Sequence, residues 1–385
     1  MRVGELINPP PGTTLLAWRN LAHERARLAV TLVGIVFAVV LMGAQLGLLV
    51  GFARTASTLV DHADADLWIT PEGTSNVDIA GRLPLARMYE ARSVPGVARV
   101  DPYMVQFAFW KKPDGGTESV IVVGFDLATQ RGAPWALTDG TPADLQRDDG
   151  VIVDHLYWDK LGITRLGQLV EINNLRVRVV GATSGIRTFT QSPHVFTTHA
   201  RAQRLTLFPG YQTTYLLVKL APGADRDAVR RALAARLPHV EVWTREGFAR
   251  QTQRYWLITT GAGSALLLAA ALGLLVGIVV VGQTLYASTV DRLAEYATLV
   301  ALGAPTRYLN RVIVKQAAIS AALGFVPGLA VTAAMAWLSR YGNTPMLLPG
   351  WLALLLAALT LGMCLLGSLV SIRRVTRIDP TMVFA

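Results

Sequence analysis

The chain has 385 residues, of which 52% are hydrophobic and only 16% charged, with a mean hydropathy of +0.39 and a formal charge of +10. That balance excludes a water-soluble globule and describes a membrane protein with a sizeable soluble part. The charge is not a nucleic-acid footprint either: residues 54–254 carry 24 basic and 21 acidic groups, with no concentrated basic face.

In chain order, residues 1–27 form a basic N-terminal segment in which Leu15, Trp18, Leu21 and Leu28 line one face of an interfacial helix, with Trp18 at headgroup depth. The first run without Asp, Glu, Lys or Arg is 28–53. It is longer than the roughly 7 to 15 apolar residues of a signal sequence and reads as an uncleaved anchor. Further uncharged runs at 255–290, 316–339 and 351–372 each meet the requirement of about 20 residues for a spanning helix. The second run, as one helix, would be about 54 Å long and is expected to continue beyond the bilayer as a stalk, back through "EGFARQTQRYW".

Basic residues set the expected orientation. Arg19, Arg25 and Arg27 precede the first span, Arg292, Arg307, Arg311 and Lys315 lie in the segment 291–315, and Arg373, Arg374 and Arg377 lie in the tail 373–385. The short loop 340–350 has Arg340 alone. Both termini are therefore expected in the cytoplasm, with residues 54–254 outside, on the periplasmic side of a bacterial inner membrane. Anionic lipid headgroups account for the cytoplasmic excess of positive charge.

The large external segment reads as a mixed α+β domain. "DADLWIT", "ESVIVVGFD", "GQLVEI", "LRVRVVGAT", "TTYLLVKL" and "VEVWT" are expected strands, and "LPLARMYEARSV" and "ADRDAVRRALAARL" expected helices, the latter with Val229, Leu233 and Leu237 on one face. "RGAPWALTDGTPADLQRDDG" reads as a surface loop between two lobes. Cys364, the one cysteine, falls in the fourth span, so this domain has no disulfide.

Candidates for chemistry are weak. His194, His199 and the Asp154-His155 pair have no zinc-site spacing and read as polar loop residues. "GATSG" misplaces its serine for a nucleophile elbow. Gly is nowhere followed by Lys, so no phosphate-binding loop exists and the chain itself binds no ATP or Mg. The spans carry no ionisable pathway of the kind a self-contained transporter needs. They do carry small residues at packing spacing: Gly43, Gly47 and Gly51, then Gly273 and Gly277, expected where a helix, including one of a second copy, approaches closely.

The segment "DRLAEYATLVALGAPTRYLNRVIVKQ" is the most organised feature. Leu293, Tyr296, Ala297 and Val300 define an apolar helix face, Asp291 and Glu295 share a polar one, Gly303 suits a helix end, and Pro305 forces a restart. "EYATLVALGAP" resembles the E-[IY]-G-T-L-[RK]-A-[LI]-G-A stretch of the FtsX/MacB-type ABC transporter permeases. Glu295, Leu299, Ala301, Leu302, Gly303 and Ala304 match, whereas Ala297 replaces a glycine and Val300 a basic residue. The layout of one helix, a large external domain and three more helices is similar over the whole chain, and "LAWRNLAHERARLAVTLVGIVFAVVLMGAQLGLLVGF" is most similar to the DevC branch.

The resemblance implies a four-helix membrane protein with a MacB-like external domain, acting as a non-catalytic homodimer. Asp291, Glu295, Leu299, Ala301, Leu302, Gly303, Ala304 and Pro305 would form the contact with a separate ATPase that binds ATP and Mg. It also implies a periplasmic adaptor and an outer-membrane channel for export, with an FtsX-like regulator of a cell-wall hydrolase and a Lol-type lipoprotein-extraction permease as open alternatives.

Overall fold

The computed structural model describes residues 12–302, 304–342 and 345–375. These fall into two units. One holds the residues up to Val50, then 265–338 and those from Met346 on; the other holds 51–264 and 339–345.

Among the described residues four helices are long and apolar enough to cross a membrane: Arg25–Ala56, Ala262–Asp291, Thr306–Leu338 and Gly350–Val375. A short helix, Thr13–His23, precedes them and ends at Glu24, whose backbone leaves the helical region. It buries Ala17, Asn20 and Leu21 and leaves Leu15 and Trp18 exposed, so the expected apolar face is split. Leu21 turns inward with Ala17, and Leu28 belongs to the next helix.

The bundle core is built from Ile35, Ala38, Val39 and Met42 of the first span, Val281 and Leu285 of the second, Ala317 and Ala321 of the third, and Leu352, Leu356, Met363 and Cys364 of the fourth. Without water to drive helices together, close backbone approach supplies the contact. A Cβ added at Gly324 would come within 2.5 Å of Ile35, at Gly328 within 2.8 Å of Val39, and at Gly34 within 2.4 Å of Val280.

One expectation about the spans is corrected. The uncharged run from Tyr255 is not one helix: Arg245–Arg254 passes into a π-helical turn, Tyr255–Thr259, and Gly261 sits at φ +80° before Ala262–Asp291 begins. A glycine in the left-handed region ends a helix at little cost, and an absence of charge says nothing about that. Conversely, "TRYLNRVIVKQ" and the third span are one 33-residue helix, because nothing between Thr306 and Gln316 can break it.

In the other unit, ten strands form one sheet among the described residues. Its spine, Val97–Lys111, pairs antiparallel with Thr117–Phe125 and with Tyr215–Leu220. Beyond Tyr215–Leu220 lie Leu67–Pro71 and then Val240–Thr244, also antiparallel. On the other side come His194–Thr198 and Gly150–Asp154, then Leu175–Thr183 and Leu137–Asp139, with parallel pairing at Thr117–Phe125/His194–Thr198 and at Gly150–Asp154/Leu175–Thr183. Leu169–Ile172 pairs with both Val97–Lys111 and Leu175–Thr183.

Successive residues of a strand point to opposite faces, and here both faces are covered. Trp68, Ile121, Val123, Tyr215 and Leu217 enter one core with Phe248, while Val120 and Val122 enter a second with Val151, Val153 and Trp110. Leu67, Ile69, Leu216 and Val218 enter a third under the helix Arg226–Arg236, whose Val229 and Leu233 are buried as its periodicity requires. The expected inter-lobe loop is partly ordered into this sheet. It supplies Leu137–Asp139 and a short 3-10 turn, Pro142–Gln146, in which Thr141 and Asp144 cap each other and Leu145 is buried.

Candidate coupling region between the second and third membrane helices

The segment after the second span forms the helix Leu293–Ala301, and the chain restarts as a helix at Thr306. Tyr296 is buried and packs with Leu309 and Ile313, and Leu299, Val300 and Tyr308 close over them. This is the apolar face read from the sequence. The helix ends with the amide of Leu302 donating to the Thr298 carbonyl at 3.0 Å and that of Ala304 to the Leu299 carbonyl at 2.9 Å. The second bond is the six-residue closure of a glycine-terminated helix. Gly303 itself lies outside the described residues, and Ala301 is the last helical residue. Leu302 is 76% exposed, and Pro305 and Arg307 are exposed beside it.

The polar face is organised by residues used above only to orient the chain. The Arg292 side chain is only 10% exposed, and its guanidinium donates to Asn20 Oδ1 at 3.0 Å, to the Asn20 carbonyl at 3.3 Å, to Glu24 Oε1 at 3.3 Å and to Glu295 Oε2 at 3.4 Å. Asn20 Nδ2 in turn donates to the Tyr296 hydroxyl at 3.3 Å, and burial pushes that phenol's pKa up. Arg27 bridges Asp291 at 2.7 Å and Glu24 at 2.6 Å, and Lys315 Nζ donates to Thr13 and Thr14.

Like charges at positions 291 and 295 would repel mildly on an isolated helix. Each has its own arginine here, and the cation comes from the same chain. One signal was available for this network: Asn20, Glu24 and Arg27 recur at i, i+4 and i+7 in "NLAHERAR".

The glycines named as a packing or dimer seam face their own chain. A Cβ on Gly43 would meet Thr332 at 2.6 Å, on Gly47 Met346 at 3.0 Å, on Gly273 Leu41 at 3.2 Å, and on Gly277 the Met363 sulfur at 2.1 Å. Gly51 is buried near the end of the first helix. Gly43, Gly47, Gly273 and Gly277 therefore pack against side chains of the chain's own bundle.

The polar residues of the sheet domain are structural. His194 is buried in a strand and not in a loop, and desolvation lowers its pKa to about 3. His199 starts a short helix, donates from Nε2 to Thr213 Oγ1 at 3.0 Å and is likewise lowered to about 4 by burial. His155 pairs with Asp139 at 2.9 Å. The buried Asp154 accepts from Thr183 Oγ1 at 2.8 Å, from the Ile186 amide at 2.7 Å and from the Leu156 amide at 3.0 Å. Among the described residues no three His, Cys, Asp or Glu side chains gather as a metal site.

Residues 28–236 match the MacB-like periplasmic core domain, and residues 267–380 the FtsX-like permease C-terminal region. An uncharacterized ABC transporter permease of Mycobacterium tuberculosis is 26% identical over 377 residues, covering 96% of this chain and 98% of its own. One of Mycobacterium bovis is 26% identical over 374 residues with the same coverage. Among solved structures, the periplasmic region of MacB from Actinobacillus actinomycetemcomitans aligns with 48% of this chain and 90% of its own at 13% identity and a TM-score of 0.38. The extracellular domain of the transporter YknZ from Gram-positive bacteria aligns with 47% and 99% at 13% identity and a TM-score of 0.35.

Proposed function

The chain belongs to the family of ABC transporter permeases with a MacB-like periplasmic core domain and an FtsX-like C-terminal region, and from that premise we propose that it transmits ATP-driven motion across the membrane to its sheet domain. In this reading a homodimer lies in the bacterial inner membrane with both termini cytoplasmic and the sheet domain periplasmic. Arg307, Arg311 and Lys315 support that orientation, since short basic segments stay on the cytoplasmic side. A separate ATPase subunit, which supplies ATP and Mg, docks on the segment 291–315. The sheet domain works with a periplasmic adaptor and an outer-membrane channel in export.

The observation that carries the reading is the braced hairpin: Leu302 and Pro305 are exposed at the end of a helix that Arg292 ties to Asn20 and Glu24. An apolar tip on a rigid backing is what a partner needs in order to push on the helices without bending the loop. Arg27 holds Asp291 at 2.7 Å, whereas Glu295, 66% exposed and 3.4 Å from Arg292, stays open to a partner's cation, so Leu302 is the contact and Glu295 the charge that orients it.

The test is purification of the chain from its native membrane. An ABC-type ATPase subunit should co-purify, and the isolated chain should hydrolyse no ATP. Leu302→Asp should reduce recovery of that subunit by about tenfold or more, as expected for a central apolar anchor worth about 2 kcal/mol. Glu295→Lys should reduce it as well. Undiminished recovery with both variants, or ATP hydrolysis by the chain alone, would sink the proposal.

A further inference from the structure

Between the strands Leu175–Thr183 and His194–Thr198 runs the segment "SGIRTFTQSP", which contains the end of the "GATSG" motif and has no role in the reading above. One side of it is tied to the sheet. The Ile186 amide donates to Asp154 Oδ2 at 2.7 Å, the oxygen that also accepts from Thr183, and the Ile186 side chain is buried in the main core. The Thr188 amide donates to the Tyr157 hydroxyl at 3.3 Å, and Lys160 Nζ donates to the Gln191 carbonyl at 2.9 Å.

Its other side meets Phe52 and Trp256, on the segments that adjoin the first and second membrane helices, and the residues that follow the third. The Phe189 ring lies edge-on to Phe52, in the penultimate turn of the first span, with centroids 5.1 Å apart. It also lies against Trp256 at 4.9 Å, on the π-helical turn before the second span. Trp256 is held in place by its indole N–H donating to the buried Asp78 at 3.0 Å. Two residues earlier, Arg187 donates through Nε to the Gly342 carbonyl at 3.1 Å and through its terminal nitrogen to the Arg340 carbonyl, in the loop that follows the third span.

We propose that Ile186–Phe189 is the joint at which the sheet domain positions the segments adjoining the first three membrane helices, with Phe189 setting the first and second and Arg187 the residues that follow the third. The physical argument is one of leverage. A four-residue segment anchored in the sheet by Asp154 and Ile186 has little freedom of its own, so a displacement of any connection is passed to the sheet and to the others. Trp256 lies in a π-helical turn, and a left-handed glycine, Gly261, follows before the second span begins, a place where the helix geometry yields. Use of the joint for ATP-driven motion rests on the reading proposed above, whereas the joint itself does not.

The experiment is hydrogen exchange on the full chain in lipid nanodiscs without nucleotide. Phe189→Ala should speed exchange about tenfold or more at the amides of Thr260 and Gly261, which bond to Tyr255 and Ile258, and also at Gly342, whose amide bonds to Ser339. Arg187→Ala should speed the same amides, Gly342 most. Phe189→Tyr and Arg187→Lys should restore protection in part, and strand 117–125 should stay unchanged in every variant. Effects confined to the connection nearest each substitution, or a loss of protection throughout 117–125, would overturn the joint and leave ordinary local packing.

A second arm adds the co-purified ATPase with ATP and vanadate. Phe189→Ala should leave hydrolysis intact and abolish any nucleotide-dependent change of exchange in the sheet. No such change in the wild type would sink the proposed transmission while the first arm still decides the joint.

Discussion

At the hairpin 291–315, the chain is held by charge: Arg292 and Arg27 bind Asn20, Glu24, Asp291 and Glu295, residues some 270 positions apart in sequence. At the 186–189 joint, the contacts are aromatic rings, an arginine on backbone carbonyls, and Asp78 accepting from an indole N–H. The difference is mechanical. The outer pairs, Arg27–Asp291 and Arg292–Glu295, have exposed carboxylates, so they are individually weak, respond to salt and can be exchanged for those of a partner. The buried Arg292 guanidinium stays on Asn20 and Glu24. Half-buried rings carry no charge for salt to screen, and the carbonyls of Arg340 and Gly342, though exposed, are neutral acceptors. A region that must receive a partner and a region that must relay its motion call for these two chemistries.

The sharpest way to break the comparison is through Asp78, the buried carboxyl that accepts from the Trp256 indole N–H. Burial raises its pKa from 3.8 to about 7, against the hydrogen bond from Trp256, which lowers it. The folded state therefore binds this proton more tightly than the unfolded state. Its contribution is fully present below pH 3.8, declines as pH rises to about 7, and above that is a constant cost of about 4 kcal/mol. His194 and His199 oppose it, because their lowered pKa values remove stability as pH falls below 6.5. The comparison of Asp78→Asn with wild type cancels the histidines. The variant keeps an oxygen acceptor for Trp256 and should melt well above wild type at about pH 8 and alongside it at about pH 3.5. Equal melting at both pH values would mean that the carboxylate is solvated and the joint is wet.

Removal of the central cation of the hairpin comes next in size. Arg292→Met keeps the apolar stem and leaves Glu24 with Arg27 at 2.6 Å, but removes the charged donor from Asn20, a loss of about 2 kcal/mol for a hydrogen bond to a charged group. The helix Thr13–His23 should lose its hydrogen-exchange protection while strand 117–125 keeps its own. Retained protection of Thr13–His23 would show that Lys315 and the buried Leu21 suffice to hold it.

Much of this was legible because hydrophobic pattern alone decides it. The four spans, the strand Leu175–Thr183 and the helix Arg226–Arg236 follow directly from uncharged runs and periodicity. The spine Val97–Lys111 was not legible. Asp101 and Pro102 punctuate it like a turn, yet pairing with Thr117–Phe125 begins only at Met104, so the proline interrupts no bond on that side. His194–Thr198 was missed for a related reason: a buried neutral histidine opening a strand looks like a loop residue until its neighbours are known.

The coupling segment was legible as a helix, a break and a helix, but not its bracing. Arg292 reads as a topology signal, and only the fold brings Asn20 and Glu24 to it. The joint left no trace at all, since "SGIRTFTQSP" has neither periodicity nor motif and gains its meaning from Phe52, Trp256 and residues 340–342.

The smallest expected effect tests whether the hairpin's charges are as exchangeable as the comparison requires. Arg27 holds Asp291 at 2.7 Å, but the two side chains are 32% and 57% exposed, so solvent and ions compete for both. An exposed pair of this kind contributes about 0.5 kcal/mol, roughly a twofold change in an opening equilibrium. Arg27 also keeps Glu24 at 2.6 Å when Asp291 is lost, so the cation is never left unpaired and no desolvation penalty follows. Asp291→Asn should therefore speed exchange in the last turn of Ala262–Asp291 by about twofold at low salt, and the difference should vanish near 1 M KCl, where the screening length is about 3 Å. The same salt change should leave the Phe189→Ala effect at Thr260 and Gly261 unaltered, because no ion pair stands behind it. A salt-independent loss of tenfold or more in Asp291→Asn would mean that the Arg27–Asp291 pair is a fixed structural tie, and the contrast between an exchangeable hairpin and a fixed joint would fall.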